Sequence, residues 1–215
     1  MFLALLRRGL LPDEGILLDL GCGQGLLLSL LLAARGEYAA GRWPRDWPAP
    51  PRRLALHGID SHAGRVNVAR RALGGAAQIE QRDLRGHDFL RPCSVVVLID
   101  VLLYLPDGEP ERVIRKAAEA LEPGGLLLLR EADAGAGFAF RLTQCSAWLD
   151  AATRGRFGER MHCRSAAHWR AELARQGFVV EAEPMSQGTP FANVLFVARK
   201  ICPGGSQHGP QGAVC

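Results

Sequence analysis

The chain predicts an α/β fold built on a doubly wound, mostly parallel sheet, and three observations predict it. Apolar runs of strand length alternate with helical periods along almost the whole chain. The first run, beginning at Ile16, passes through a glycine turn straight into a second apolar stretch, Leu26–Ala34. The first four strand-like runs each end at an aspartate, namely Asp19, Asp60, Asp83 and Asp100. Right-handed crossovers bring the carboxyl ends of parallel strands to one rim, where open sheets of this kind bind their ligands.

The turn Gly21-Cys-Gly-Gln-Gly25 separates the first strand from the first long helix. Its glycines allow a sharp reversal and leave no Cβ to hold a ligand away from the main chain. The helix after it presents unpaired N–H groups that favour a carboxylate or phosphate, whereas Asp19 offers a place for an amine. The stretch 36–53, with Gly41-Arg-Trp-Pro-Arg-Asp-Trp-Pro48, has neither period and reads as a surface insertion. A second strand, 54–59, ends at Asp60, and Ser61 is placed to cap a helix from His62 to about Leu73, stopped by Gly74-Gly75. Residues 77–82 form a short third strand.

Residues 94–99 are an unbroken apolar run, as a central strand covered on both faces requires. A helix from Pro110 follows, with Val113, Ile114, Ala117, Ala118 and Leu121 on one face and Pro123-Gly124-Gly125 as its stop. The fifth strand is 126–130. Ser165 caps a helix with Trp169 and Leu173 turned inward and Gly177 at its end, and 178–183 and 193–199 form an antiparallel pair. The expected whole is seven strands, mostly parallel with an antiparallel last strand, in three α/β/α layers. A single domain spans 1–200, with an acceptor lid at 134–164 and a disordered tail at 201–215, too poor in apolar residues for a core.

Composition narrows the function. With 215 residues, of which 48% are hydrophobic and 22% charged, the chain is large enough for one well-packed domain. Met1–Arg8 places its apolar residues before its charges, the reverse of a secretory signal, and no apolar run is long enough to insert in a membrane, so a cytoplasmic location is expected. The six cysteines include no C-x-x-C pair and are expected to be reduced thiols. The charge of +4 comes from dispersed arginines without interleaved aromatics, so no nucleic-acid partner is expected. The spacing of His162, Cys163 and His168 fits no zinc pattern, and no metal is expected. The oligomeric state is not legible.

The segment Asp19-Leu-Gly-Cys-Gly-Gln-Gly25 resembles motif I of the class I S-adenosylmethionine (SAM) dependent methyltransferases, and the resemblance runs from about Ile16 to Lys200. It implies a Rossmann-like sheet, SAM as cofactor and S-adenosylhomocysteine (SAH) as product. His57-Gly-Ile-Asp60 looks like the family's second strand, which implies that Asp60, beside Ser61, receives the ribose hydroxyls. Asp83-Leu84 looks like the pair that reads adenine. The run Val95–Pro106, with Asp100 within it, resembles the fourth-strand motif, and Leu121–Leu129 resembles the turn into the fifth strand. The resemblance implies cofactor contacts at Asp19, Gly21, Gly23, Gly25, Asp60, Ser61, Asp83, Leu84 and Asp100.

The chain also departs from the family pattern. Gly25 and Asp60 are farther apart than the roughly twenty residues usual for such a loop and its ribose acid, an excess that the insertion explains. Leu103 stands where many relatives carry histidine. The link between Asp83 and Ser94 is too short for a crossover helix. The chain begins close to its first strand, so either the pocket is partly open or the native chain extends upstream.

SAM carries its methyl on a cationic sulfur, so the reaction needs in-line placement and exclusion of water. A hydroxyl acceptor also needs a base, for which Tyr104, Glu131, Asp133 and His162 are the candidates. Tyr104 is better suited to walling the methionine end. His57 and His62 read as packing or solvent-facing groups, and Trp43 and Trp47 either seal an acceptor channel or anchor the insertion. Asp100 is followed by Val-Leu-Leu, not the Pro-Pro-aromatic sequence that resembles amine methyltransferases. With Phe138, Phe140, Trp148 and Phe157 in the lid, a small and partly apolar acceptor is expected, methylated on an oxygen of a phenolic or acyl-derived compound. Two alternatives stand beside this reading. An NAD-dependent oxidoreductase would need a third glycine where Leu26 stands, and a non-catalytic methyltransferase-like module would not need its pocket acids.

Overall fold

The computed structural model describes residues 2–86, 88–137, 140–141, 161–185 and 192–202. Most of the expected lid, including Phe138, Trp148 and Phe157, lies outside these residues, as does the tail beyond Cys202. Seven strands form one sheet: β1 Glu14–Leu20, β2 Arg53–Asp60, β3 Gln78–Gln81, β4 Cys93–Ile99, β5 Leu121–Ala132, β6 Phe178–Pro184 and β7 Asn193–Lys200. Their order is β3-β2-β1-β4-β5-β7-β6. Pairing is parallel except at β7, which runs antiparallel to both β5 and β6. The order reverses between β1 and β4, and their carboxyl ends border the crevice where a doubly wound sheet receives its ligand.

Strand periodicity divides the core into two layers. Leu18, Leu20, Val96, Leu98, Leu127 and Leu129 face one side. There they meet α4 (Glu109–Ala120) through Val113, Ile114 and Ala117, and α5 (Ala166–Arg175) through Trp169 and Leu173. The intervening residues Leu17, Val95, Val97, Leu126 and Leu128 face the other side. This face is covered by α1 (Phe2–Arg7), α2 (Leu26–Ala39) and α3 (Ala63–Leu73). Alternate residues of a strand point to opposite faces, so an unbroken run of Leu and Val serves both layers at once.

Several boundaries differ from the sequence reading. Residues 2–7, to which the sequence assigned no element, form α1, whose Leu5 and Leu6 are buried. The helix α2 continues through Gly36 to Ala39, because one glycine weakens a helix without ending it. The insertion is correspondingly shorter. The cap of α3 is His62, not Ser61: its Nδ1 accepts the Arg65 N–H at 3.4 Å, while Asp60 receives the N–H of His62 itself. The helix α4 ends at Ala120, and Leu121 already pairs with Cys93. Pro123-Gly124-Gly125 therefore forms an irregularity within β5, and pairing resumes with Leu126 opposite Val95. Between Gln81 and Cys93 no helix occurs among the described residues; buried Leu84 and Phe89 fill that part of the layer.

The cysteine expectation needs correction. Cys22, Cys93 and Cys163 are free thiols, but Cys202 is disulfide-bonded. The absence of a C-x-x-C pair gave no sign of this bond.

The last strand also secures the far end of α4. The Lys200 ammonium donates to the carbonyls of Ala118 and Leu121, both at 2.6 Å, where a helix leaves its acceptors unpaired. Lys200→Met is expected to lower stability by about 2 kcal/mol, read from the midpoint of urea unfolding at constant slope. An unchanged midpoint would show that water serves these carbonyls equally well.

Candidate active site

A cavity of about 790 Å³ opens at the carboxyl ends of β1 to β4. It brings together Gly21, Asp60, Ser61, Asp83, Leu84 and Asp100 with Tyr104 and His162. Asp19, Gly23, Gly25 and Glu131 are not among its lining residues.

The glycine turn is held by its own main chain and by Asp60. The N–H groups of Gly21 and Cys22 donate to the Ile59 carbonyl at 2.7 and 3.0 Å, and that of Gly23 to Asp60 Oδ2 at 3.0 Å. Gly21 has φ +79°, and a Cβ there would lie 2.4 Å from Cγ2 of Val101. Gly23 has φ +57° and faces open space. Both positions thus need left-handed backbone, and only at Gly21 is a side chain also excluded by volume.

The four strand-end acids differ sharply. Asp19 shares the inward face of Leu17 and is 4% exposed. No donor among the described residues bonds its carboxyl, which burial and then the charge of Asp60 push up to about 7. Asp60 is also buried, but its oxygens accept the N–H groups of Gly23 and His62. Asp83 lies on the exposed loop after β3 and is engaged by Arg85. Asp100, at the left-handed φ of +55°, pairs with Arg130 at 2.9 Å; burial raises its pKa despite that cation.

Beyond β4, residues Leu102–Tyr104 form a single 3₁₀ turn. Glu131, 2% exposed, receives the N–H groups of Val101 at 3.2 Å and Leu102 at 2.8 Å. Burial pushes its carboxyl up to about 8. Its observed contacts fasten the turn that carries Tyr104, and it does not line the cavity. The Leu103 carbonyl accepts the N–H of His162 at 2.7 Å, and His162 Nδ1 lies 3.7 Å from Asp107. Arg164 braces this corner through Asp107 at 3.3 Å and Glu111 at 3.0 Å. Asp133 Oδ1 accepts the N–H groups of both Gly135 and Ala166 at 2.8 Å, and Ala134 N–H donates to the Arg164 carbonyl. Its carboxylate thereby joins the two ends of the segment for which the sequence predicts a lid.

Trp43 and Trp47 pack edge to face, 5.7 Å apart, and border a separate cavity with Tyr38. They lie against the α1–α3 layer and anchor the insertion; neither reaches the main cavity. The sequence reading also missed cavity residues. His62 lines it from the α3 cap, as do Arg65 and Arg85. The spacing Asp83-x-Arg85 across a turn was the available signal for Arg85; nothing local marked Arg130, which meets Asp100 through the pairing of β4 with β5.

An α/β sheet with a glycine turn at its reversal point and a row of acids at its rim defines a nucleoside-binding architecture. Residues 2–183 match the family described as a methyltransferase domain, and the chain belongs to that family, with the class I SAM-dependent fold. It is 35% identical over 118 residues to carboxy-S-adenosyl-L-methionine synthase of Chromohalobacter salexigens, covering 53% of this chain and 38% of that protein. It is 31% identical over 128 residues to trans-aconitate 2-methyltransferase of Azoarcus sp., covering 59% and 42% respectively. The matches thus span about two fifths of these curated relatives. Magnesium protoporphyrin IX methyltransferase of Synechocystis PCC 6803, solved with bound SAH, superposes with a TM-score of 0.63 at 21% identity, over 93% of this chain and 80% of that one. That likeness is one of fold. Among the described residues no helix is long and apolar enough to cross a membrane.

Proposed function

We propose that this protein transfers the methyl group of SAM to an oxygen of a small phenolic or acyl-derived acceptor. The observation that carries the reading is the gathering of Asp60, Asp83 and Asp100 in one cavity beside the glycine turn. The donor set suits the cofactor: buried Asp60 can accept ribose hydroxyls, and Asp83 with the Leu84 N–H can read adenine. The unpaired N–H groups at the start of α2, just past the glycine turn, can take the amino-acid carboxylate, and Asp19, bonded by no donor among the described residues, can take its ammonium. Ser61 and Asp100 flank the bound molecule. SAM supplies an electrophilic methyl; the protein supplies alignment and a dry setting.

At the acceptor end Ile99, Val101, Leu105 and Pro106 form an apolar wall, with Tyr104 and His162 as its polar groups. This supports a partly apolar acceptor bearing one ionisable hydroxyl or acid. His162 is the proposed base, Tyr104 a wall residue, and Glu131 acts through the turn it holds. A curated relative named for trans-aconitate, a small organic acid, supports a small-molecule acceptor. The test is incubation with isotopically labelled SAM and a metabolite extract, followed by mass identification of any compound that gains a labelled CH₂ unit. Separate titrations with SAM and NAD decide between cofactors; binding of NAD alone would defeat the proposal. With the acceptor in hand, His162→Ala is expected to lower kcat roughly 100-fold and leave SAH affinity unchanged. An unchanged kcat removes His162 from the chemistry.

A further inference from the structure

The proposed adenine-reading carboxylate is already occupied by a group of the protein itself. Asp83 Oδ1 accepts the backbone N–H of Arg85 at 2.9 Å and its Nε at 3.0 Å; Oδ2 accepts Nε at 3.1 Å and a terminal guanidinium nitrogen at 2.5 Å. A carboxylate offers about four lone-pair positions, and three donor hydrogens of Arg85, the Nε–H shared between both oxygens, take up most of them. Both side chains line the cavity, and both are about half exposed. The backbone beneath them is fixed, because Leu84 is buried and the Arg85 carbonyl accepts the Lys116 ammonium at 3.0 Å. The guanidinium can therefore swing while the loop stays in place.

We infer that Arg85 is a built-in competitor for the base amine at Asp83, so that cofactor binding requires its guanidinium to leave that carboxylate. The inference rests on the proposed adenine role of Asp83. An exposed ion pair of this kind is worth little, which makes the exchange easy and its effect on affinity modest. Arg85 then sets how tightly SAM is held and how readily SAH leaves, without touching the reacting atoms.

The test is calorimetric titration of SAH into the parent protein, Arg85→Ala, Asp83→Asn and the double variant, each at about 0.05 M and about 0.5 M NaCl. Arg85→Ala is expected to bind SAH about two- to five-fold more tightly at low salt, with the gap closing at high salt, where the parent's ion pair is screened. In the Asp83→Asn background the Arg85 substitution is expected to change nothing. Equal or weaker binding by Arg85→Ala overturns the inference, as does a gain that persists without the Asp83 charge. The same data separate this failure from that of the cofactor reading: SAH bound as tightly by the double variant as by Arg85→Ala sinks the adenine assignment, and absence of binding in all four proteins sinks both.

Discussion

Asp60→Ala is expected to weaken SAM binding by about 100-fold or more, while the protein remains folded. Two causes act together. The proposed ribose contact consists of two hydroxyls donating to one buried carboxylate, and hydrogen bonds to a charged group are each worth about 1.5–3 kcal/mol. The same carboxylate holds the Gly23 N–H at 3.0 Å and the His62 N–H at 2.8 Å. Its loss frees the glycine turn and the start of α3 together. Asp60→Asn keeps one acceptor oxygen and is expected to fall between parent and alanine variant. Calorimetric titration with SAM gives the affinities, and circular dichroism checks the fold. An alanine variant that is folded and binds SAM as well as the parent would remove Asp60 from the cofactor site.

Asp19→Asn is expected to raise stability at alkaline pH and to impair cofactor binding. The folded-state carboxyl is pushed up to about 7, against an ordinary value near 3.9. Between those values the folded chain holds this proton more tightly than the unfolded chain does. The stability contributed by Asp19 is therefore complete below about pH 4 and is lost as pH rises through about 7. Glu131 acts in the same sense up to about pH 8. Asparagine cannot ionise, so the Asp19 part of the slope disappears, and the variant should exceed the parent by a few kcal/mol at pH 8. Urea unfolding from pH 4 to pH 8 measures this, and identical slopes for the two proteins would refute it. An ammonium beside Asp19 should also release its proton. Titration of SAM near pH 6 in buffers of different ionisation enthalpy should then show proton release in the parent and none of it from Asp19→Asn.

The sheet was legible because each of its signals is local. Unbroken runs such as 94–99, the glycine turn, and aspartates at strand ends identify the strands and the rim without knowledge of the packing. The acids themselves read less well. Asp19 shares the face of Leu17 and so sinks beneath the turn, which a strand-end rule does not foresee. The Ser61 cap failed by one residue because Asp60 holds the His62 N–H and His62 receives the Arg65 N–H. The Arg130–Asp100 pair arises from strand register, Arg130 standing opposite Ile99, and register is a property of the sheet, not of either strand alone.

The clamp at Asp133 has a bearing on how acceptor preference can change. One carboxylate gathers residues 135 and 166, so the two ends of the segment between them are held side by side. Changes in length between those two points need not displace β5 or α5. On the proposed reading, the nucleoside half of the site can accordingly be kept constant while the acceptor half is rewritten.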